Sequence, residues 1–187
     1  MKKFFVITQI IILCSVFAGI KEDIVGSWAD RDTFSVKFTR TDFSLIDTIS
    51  YEGIFAVRKP DTIYKTSEEF VLFKDGFIWT FSEGSDVGMK SRTQGYEYAD
   101  INLLLAKLDE DFDVEYSKKS KSFTMIGENG KGNIVSFSAE LDKTFLPTLV
   151  EWTDIFGYKT RISFKKFVFK NPGNIFNPPE NIEFIEQ

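Results

Sequence analysis

Between Thr33 and Lys170 the apolar residues recur mostly at every second position, and that period sets the fold class before any motif is considered. Thr33 to Arg40 puts Phe34, Val36 and Phe38 on one face and Ser35, Lys37 and Thr39 on the other, the pattern of a half-buried strand. Ile49 to Lys59 alternates likewise, with Ile49, Tyr51, Gly53, Phe55 and Val57 on one face and Ile54 and Ala56 on the opposite one. Phe70 to Phe73 is apolar on both faces, Asp75-Gly76 is a hairpin turn signal, and Phe77 to Phe81 returns as a strand. Phe112 to Tyr116, Ser122 to Ile126, Ile134 to Leu141, Leu149 to Trp152 and Tyr158 to Lys170 read as further strands, with turns at Asn129-Gly130 and Asp154 to Gly157. Across Lys165-Lys166 the parity changes, from Ile162 and Phe164 to Phe167 and Phe169, which predicts a β-bulge.

Helical spacing is scarce. Lys21 to Asp30 forms a short helix with Ile24, Val25 and Trp28 on one side, and Tyr98 to Leu108 carries Ile101, Leu104, Leu105 and Leu108 at helical intervals. Gly84 to Gly95 reads as a loop, and the stretch from Asn171, with Pro172, Pro178 and Pro179, supports only short extended pieces. The simplest arrangement is a single mainly β (α+β) domain over 19–187: one antiparallel sheet of nine to eleven strands with a few helices against it. Several strands are apolar on both faces, although few helices are available to cover them. A closed barrel or sandwich with an ordinary core explains this; so does a curved sheet enclosing an apolar cavity for a ligand.

Met1-Lys2-Lys3, the apolar run from Phe4 to Phe17 and Val16-Phe17-Ala18 have the layout of a secretory signal peptide over 1–18, with the domain beginning near Gly19 and an exported, periplasmic location. The apolar run is shorter than the ~20 residues a spanning helix needs. Cys14 is the single cysteine and lies inside that run, so its removal leaves a domain with neither Cys nor His. That composition excludes a Cys/His zinc site and any nucleophile activated by histidine. The formal charge of −5 argues against a nucleic-acid partner. Asp109-x-Asp111-x-Asp113 begins like a calcium loop, but Val114 stands where Gly is required and Ser120 where Glu is. Gly127 to Gly132 lacks the spacing of a phosphate loop, and nothing marks out any of the 28 acids as a catalytic pair. No catalytic residue, metal ligand or cofactor is therefore expected, and the chain reads as a non-enzyme. The aromatic complement of 21 Phe, 6 Tyr and 3 Trp supplies apolar area that, for Phe, needs no polar partner.

Gly53-Ile54-Phe55-Ala56-Val57-Arg58-Lys59-Pro60 resembles the second-strand signature of the LolA-type periplasmic lipoprotein carriers: a Gly, an apolar alternating strand, a basic residue and Pro. Phe38-Thr39-Arg40 resembles that family's Phe-x-Gln, with Arg in place of Gln; Asp75-Gly76 with Trp79, Asp154 to Ile162 and Phe176 to Glu180 resemble its later hairpins and terminal segment. The resemblance covers about 150 residues and implies an incomplete, strongly curved antiparallel β-barrel with a helical lid over a cavity for acyl chains. It implies a monomer that takes lipoproteins or lipids from an inner-membrane lipoprotein-releasing transporter and hands them to an outer-membrane receptor. An envelope lipid sensor or regulatory binding protein of the same fold is the alternative. The expected cavity residues are Phe34, Phe38, Tyr51, Phe55, Val57, Leu72, Trp79, Phe81, Leu104, Leu105, Leu108, Ile162 and Phe164. In the resembled carriers an Arg directly before the Pro latches the lid. Lys59 holds that position here and shares a face with Phe55 and Val57, Arg58 is the second candidate, and two solvated edge charges are the third reading.

Overall fold

The computed structural model describes residues 19–28, 31–82, 84–92, 101–119 and 122–186; the signal segment expected at 1–18 lies outside them. Helix α1 spans 19–28. Strands β1 (Thr33–Phe43), β2 (Thr48–Arg58), β3 (Asp61–Thr66), β4 (Glu69–Lys74), β5 (Phe77–Ser82) and β6 (Val87–Arg92) precede helix α2 (Ile101–Asp111). After it come β7 (Asp113–Lys119), β8 (Ser122–Glu128), β9 (Ile134–Asp142), β10 (Pro147–Asp154), β11 (Lys159–Phe164) and β12 (Glu183–Glu186). All twelve join one curled, unclosed sheet in the order β12-β6-β5-β4-β3-β2-β1-β11-β10-β9-β8-β7. The molecule is thus the incomplete, mainly β barrel with helices that was expected. Its twelve described strands exceed the nine to eleven expected, and one pair, β6 with β12, runs parallel. Strands β3 and β6 escape a reading by periodicity because Asp61-Thr62-Ile63-Tyr64-Lys65-Thr66 and Val87-Gly88-Met89-Lys90-Ser91-Arg92 carry too few apolar residues; β6 occupies part of the expected loop.

Register explains how the two faces divide. Phe34, Val36 and Phe38 lie opposite Val57, Phe55 and Gly53, so these side chains share one face. The same face continues through Ile162 and Phe164 on β11, Val150 and Trp152 on β10, Phe137, Ala139 and Leu141 on β9, and Met125 on β8. The expected bulge is present. Phe38 pairs with Phe164, but three residues along the strand Ser35 bridges Val168, one residue out of step. That extra residue returns Phe167 and Phe169 to the side of Phe34, with ring centroids 5.7 and 6.3 Å from it. At Gly53 a Cβ would collide with the Phe38 ring and lie 2.6 Å from the Lys65 carbonyl oxygen, so only glycine lets Phe38 lie flat and stack on Tyr64 at 5.1 Å.

The opposite face is polar on β1 and β2, where Glu52 accepts from Thr39 at 2.8 Å and from Lys165 at 2.7 Å. On β3 to β5 it turns apolar: Ile63, Leu72 and Phe70 are buried there with Ala56 from the end of β2, all against Phe176, and Trp79, Phe81 and Ile175 pack around them. The second cover is therefore the proline-containing C-terminal segment rather than a helix. Lys74 donates to the Phe176 carbonyl at 3.1 Å and to Asn177 Oδ1 at 3.0 Å, and the Arg58 guanidinium lies 4.5 Å over the Phe176 ring. Phe176→Ala should remove about 3–5 kcal/mol of stability in urea unfolding, and Gly53→Ala should cost about 1–3 kcal/mol through the displaced Phe38 ring.

Candidate functional site

Helices α1 and α2 cross the continuous apolar face without filling it, leaving a cavity of about 400 Å³. Phe34, Phe55, Val57, Val150 and Ala139 form its floor, and Ile24, Trp28, Leu105 and Leu108 its roof. Pro147 and Trp152, five residues apart on one strand, both line it, which sets a run of about 17 Å along the sheet. A second cavity of about 250 Å³ adjoins it across Trp28, Phe34, Phe55 and Pro147 and is walled by Phe38, Tyr64, Ile162, Phe164 and Phe167. Stiff rings make the partition: Trp28 meets Phe34 edge-on at 5.3 Å, and Phe34 lies 5.9 Å from Phe55.

Several polar contacts hold the roof, three of them at Trp28 and Asp109. Trp28 Nε1 donates to the Phe145 carbonyl at 3.0 Å, fastening the end of α1 to the turn between β9 and β10. Asp109 on α2 pairs with Lys21 of α1 and accepts from the Tyr116 hydroxyl on β7 at 3.2 Å, so one carboxylate joins both helices to the sheet. Burial, with the Asp109 charge beside it, holds the Tyr116 phenol well above its usual range. The β9–β10 turn is built on Asp142, whose Oδ1 accepts from the Thr144 N–H and hydroxyl at 2.7 Å each and from the Leu146 N–H at 3.1 Å. Partial burial pushes this carboxyl up, but those bonds and the nearby Arg31 outweigh it and leave Asp142 below the ordinary carboxylate range.

Among the described residues Arg31 and Lys59 are the charged side chains in the lining of the larger cavity, and both stand at the end where α1 leads into β1. The Arg31 guanidinium sits 5.0 Å over Trp28 and 5.2 Å over Phe169, and its Nη2 donates to the Thr144 carbonyl at 3.1 Å. Its Nη1 is buried without a hydrogen-bond partner. Burial pulls the group below its usual range, and Asp142 partly restores it. The Lys59 ammonium lies 2.8 Å from Asp32 Oδ1, and the Lys59 N–H donates to the Asp32 carbonyl at 2.9 Å.

Of the expected cavity residues, Phe34, Phe55, Val57, Leu105 and Leu108 line the larger chamber, and Phe38, Ile162 and Phe164 the smaller. Tyr51 lines neither; it is half-buried opposite Arg40, towards the other end of β2. The Leu104 side chain lies outside the described residues. Leu72, Trp79 and Phe81 require a correction. Ala56 pairs with Ile63, Ile63 with Leu72, and Leu72 with Trp79, so they occupy the opposite face beneath Phe176. Arg58 shares that face and pairs with Asp61 at 2.9 Å, whereas Lys59 reaches the cavity, as alternation requires. Among the described residues the Lys59 ammonium meets Asp32 and not the α2 lid, because residue 59 ends β2 beside the entry into β1. Trp28, Met125, Phe137, Val150 and Trp152 were missed as lining residues. Parity carried across the hairpins from Ile162 to Val150 to Ala139 would have found the strand members, while no local signal marks Arg31.

Asp142→Asn should lower the urea midpoint at pH 7. Because the folded carboxyl is depressed, its contribution is present above the unfolded pKa of about 4. The gap between parent and variant should therefore close as pH falls below that value.

No protein-family model matches the chain, and no curated protein does. The structure is similar to a LolA superfamily protein from Nitrosomonas europaea, 12% identical over 86% of this chain and 97% of the other, with a TM-score of 0.43. A domain assigned to outer membrane lipoprotein sorting in Vibrio parahaemolyticus is 9% identical over 87% and 97%, with a TM-score of 0.47. MucB in the Pseudomonas aeruginosa MucA/MucB complex is 13% identical over 88% of this chain and 63% of that one, with a TM-score of 0.46. Likeness at this distance concerns the fold alone and carries no function across.

Proposed function

We propose that this protein is an envelope carrier that binds acyl chains of lipids or lipoproteins in its cavity and moves them between membranes without altering them. The observation that carries the reading is the apolar chamber of about 400 Å³ left between the sheet and two helices, with its aromatic side chamber. Hiding an acyl chain is worth about 0.8 kcal/mol per CH₂ before costs, so an apolar slot some 17 Å long is a strong receptor for one. The signal segment read at 1–18 supports a periplasmic location, and the family resemblance supports a membrane transporter and an outer-membrane receptor as donor and acceptor. Release needs a roof that opens, and the roof here is fastened by a few polar contacts around Asp109 and Trp28.

A carrier also has to meet a bilayer. The β1–β2 and β10–β11 turns lie side by side, since Phe43 pairs with both Thr48 and Lys159. Their tips present Leu45, Ile46 and Phe156 at 91%, 96% and 74% exposure. Backbone N–H groups in these tips are already satisfied: Ser44 Oγ accepts from Asp47 at 2.9 Å, and Asp154 Oδ1 from Phe156 and Tyr158 at 2.8 and 2.9 Å. Such turns enter an apolar phase without stranding those groups.

Protein purified from its own envelope should carry co-bound lipid in native mass spectrometry, and Phe55→Glu should weaken binding of an apolar fluorescent dye at least ten-fold in a protein that remains folded by circular dichroism. A lipid-free protein that binds no dye would overturn the reading. Leu45→Ser with Phe156→Ser should slow delivery of bound lipid to vesicles several-fold at unchanged equilibrium affinity.

A further inference from the structure

The charged end of the cavity points to a class of ligand. Resting on the carrier reading, we propose that the preferred ligand is an acidic lipid, whose carboxylate or phosphate head docks between Arg31 and Lys59 while its acyl chain runs along the sheet towards Trp152.

The first ground is selectivity of the lining: among the described residues its charged side chains are both cations, and both stand at one end. The second is the state of Arg31. Trp28 and Phe169 hold the guanidinium plane, the Thr144 carbonyl takes Nη2, and Nη1 is left buried and unpaired. A buried charged donor without a partner is costly, and an anionic oxygen reaching Nη1 removes that cost, whereas an apolar or neutral head does so poorly.

The neighbouring acids do not discharge this site. Asp142 faces Arg31 through space, but its Oδ1 is committed to Thr144 and Leu146, and it makes no hydrogen bond to the guanidinium. Asp32 pairs with Lys59 from the water side, with its side chain 69% exposed. A pair so exposed exchanges partners at little cost, which frees the ammonium for an arriving head group. The backbone bond from Lys59 to Asp32 keeps the lysine next to the residue following Arg31, so both cations stand at the same end of the cavity. At the far end Ile134 and Trp152 continue the lining without charge, which suits the tail.

The test uses the delipidated protein and three probes with one oleoyl chain: oleate, oleoyl lysophosphatidic acid and oleyl alcohol. Affinities are read by displacement of an apolar dye at pH 8. At least one acidic probe should bind ten-fold or more tightly than the alcohol, and whichever of the two is tighter identifies carboxylate or phosphate as the natural head. Arg31→Gln should bring the acid-to-alcohol ratio near one. Lys59→Gln should lower it part-way, and reports on the site even if the arginine variant does not fold. Equal affinity for all three probes, or an unchanged ratio in the folded variants, overturns the acidic-head assignment while leaving the carrier reading intact. Failure of all three probes to bind overturns both.

Discussion

The apolar face running from β2 to β8 must be kept from water, and two helices of ten and eleven residues are available to cover it. A curved sheet with stiff aromatic side chains does not collapse onto so small a roof, because the rings resist interpenetration and hydrogen-bonded strands resist bending further. Unfilled volume follows, divided where Trp28, Phe34 and Phe55 meet. The feature that makes the protein a candidate carrier is thus a packing deficit imposed by geometry. Under the proposed function, the free energy withheld from the empty fold is what an acyl chain recovers on entry.

Tolerating such a deficit requires a firm perimeter. Asp142 organises the β9–β10 turn, Phe145 in that turn stacks on Phe123 at 4.3 Å and accepts from Trp28, and Asp109 binds α1, α2 and β7 together. On the reverse face Phe176, fully buried, seals the apolar patch of β3 to β5. These contacts lie around the chambers and tie the roof helices to the sheet and to each other. Arg31 belongs to the same perimeter: the turn that anchors Trp28 also takes Nη2 of the guanidinium, while Nη1 stays buried and unpaired.

Much of this was legible in the chain. Period-two alternation, apolar runs and turn signals located β1, β2, β4, β5 and β7 to β11; the parity change at Lys165-Lys166 located the bulge that returns Phe167 to the cavity wall; and the alternation of Arg58 and Lys59 assigned their faces. Strands β3 and β6 were invisible because short, polar strands are held by their neighbours' hydrogen bonds rather than by their own apolar pattern, and β12 was legible only as a short extended piece. Leu72, Trp79 and Phe81 were assigned to the wrong side for a related reason: alternation within a strand says which residues share a face, but not which face.

The sequence by itself determined that the protein is a sheet, which residues travel together within each strand, where one strand breaks step, and that histidine and cysteine chemistry is absent from the domain. Those properties are local, set by side-chain period, turn residues and composition. Tertiary structure decided which faces join across twelve strands, that the proline-containing tail rather than a helix covers Phe70, Leu72 and Trp79, and that Arg31 and Lys59 stand together at one end of an apolar chamber. Each of these depends on register between segments distant in sequence, where a shift of a single residue exchanges inside for outside.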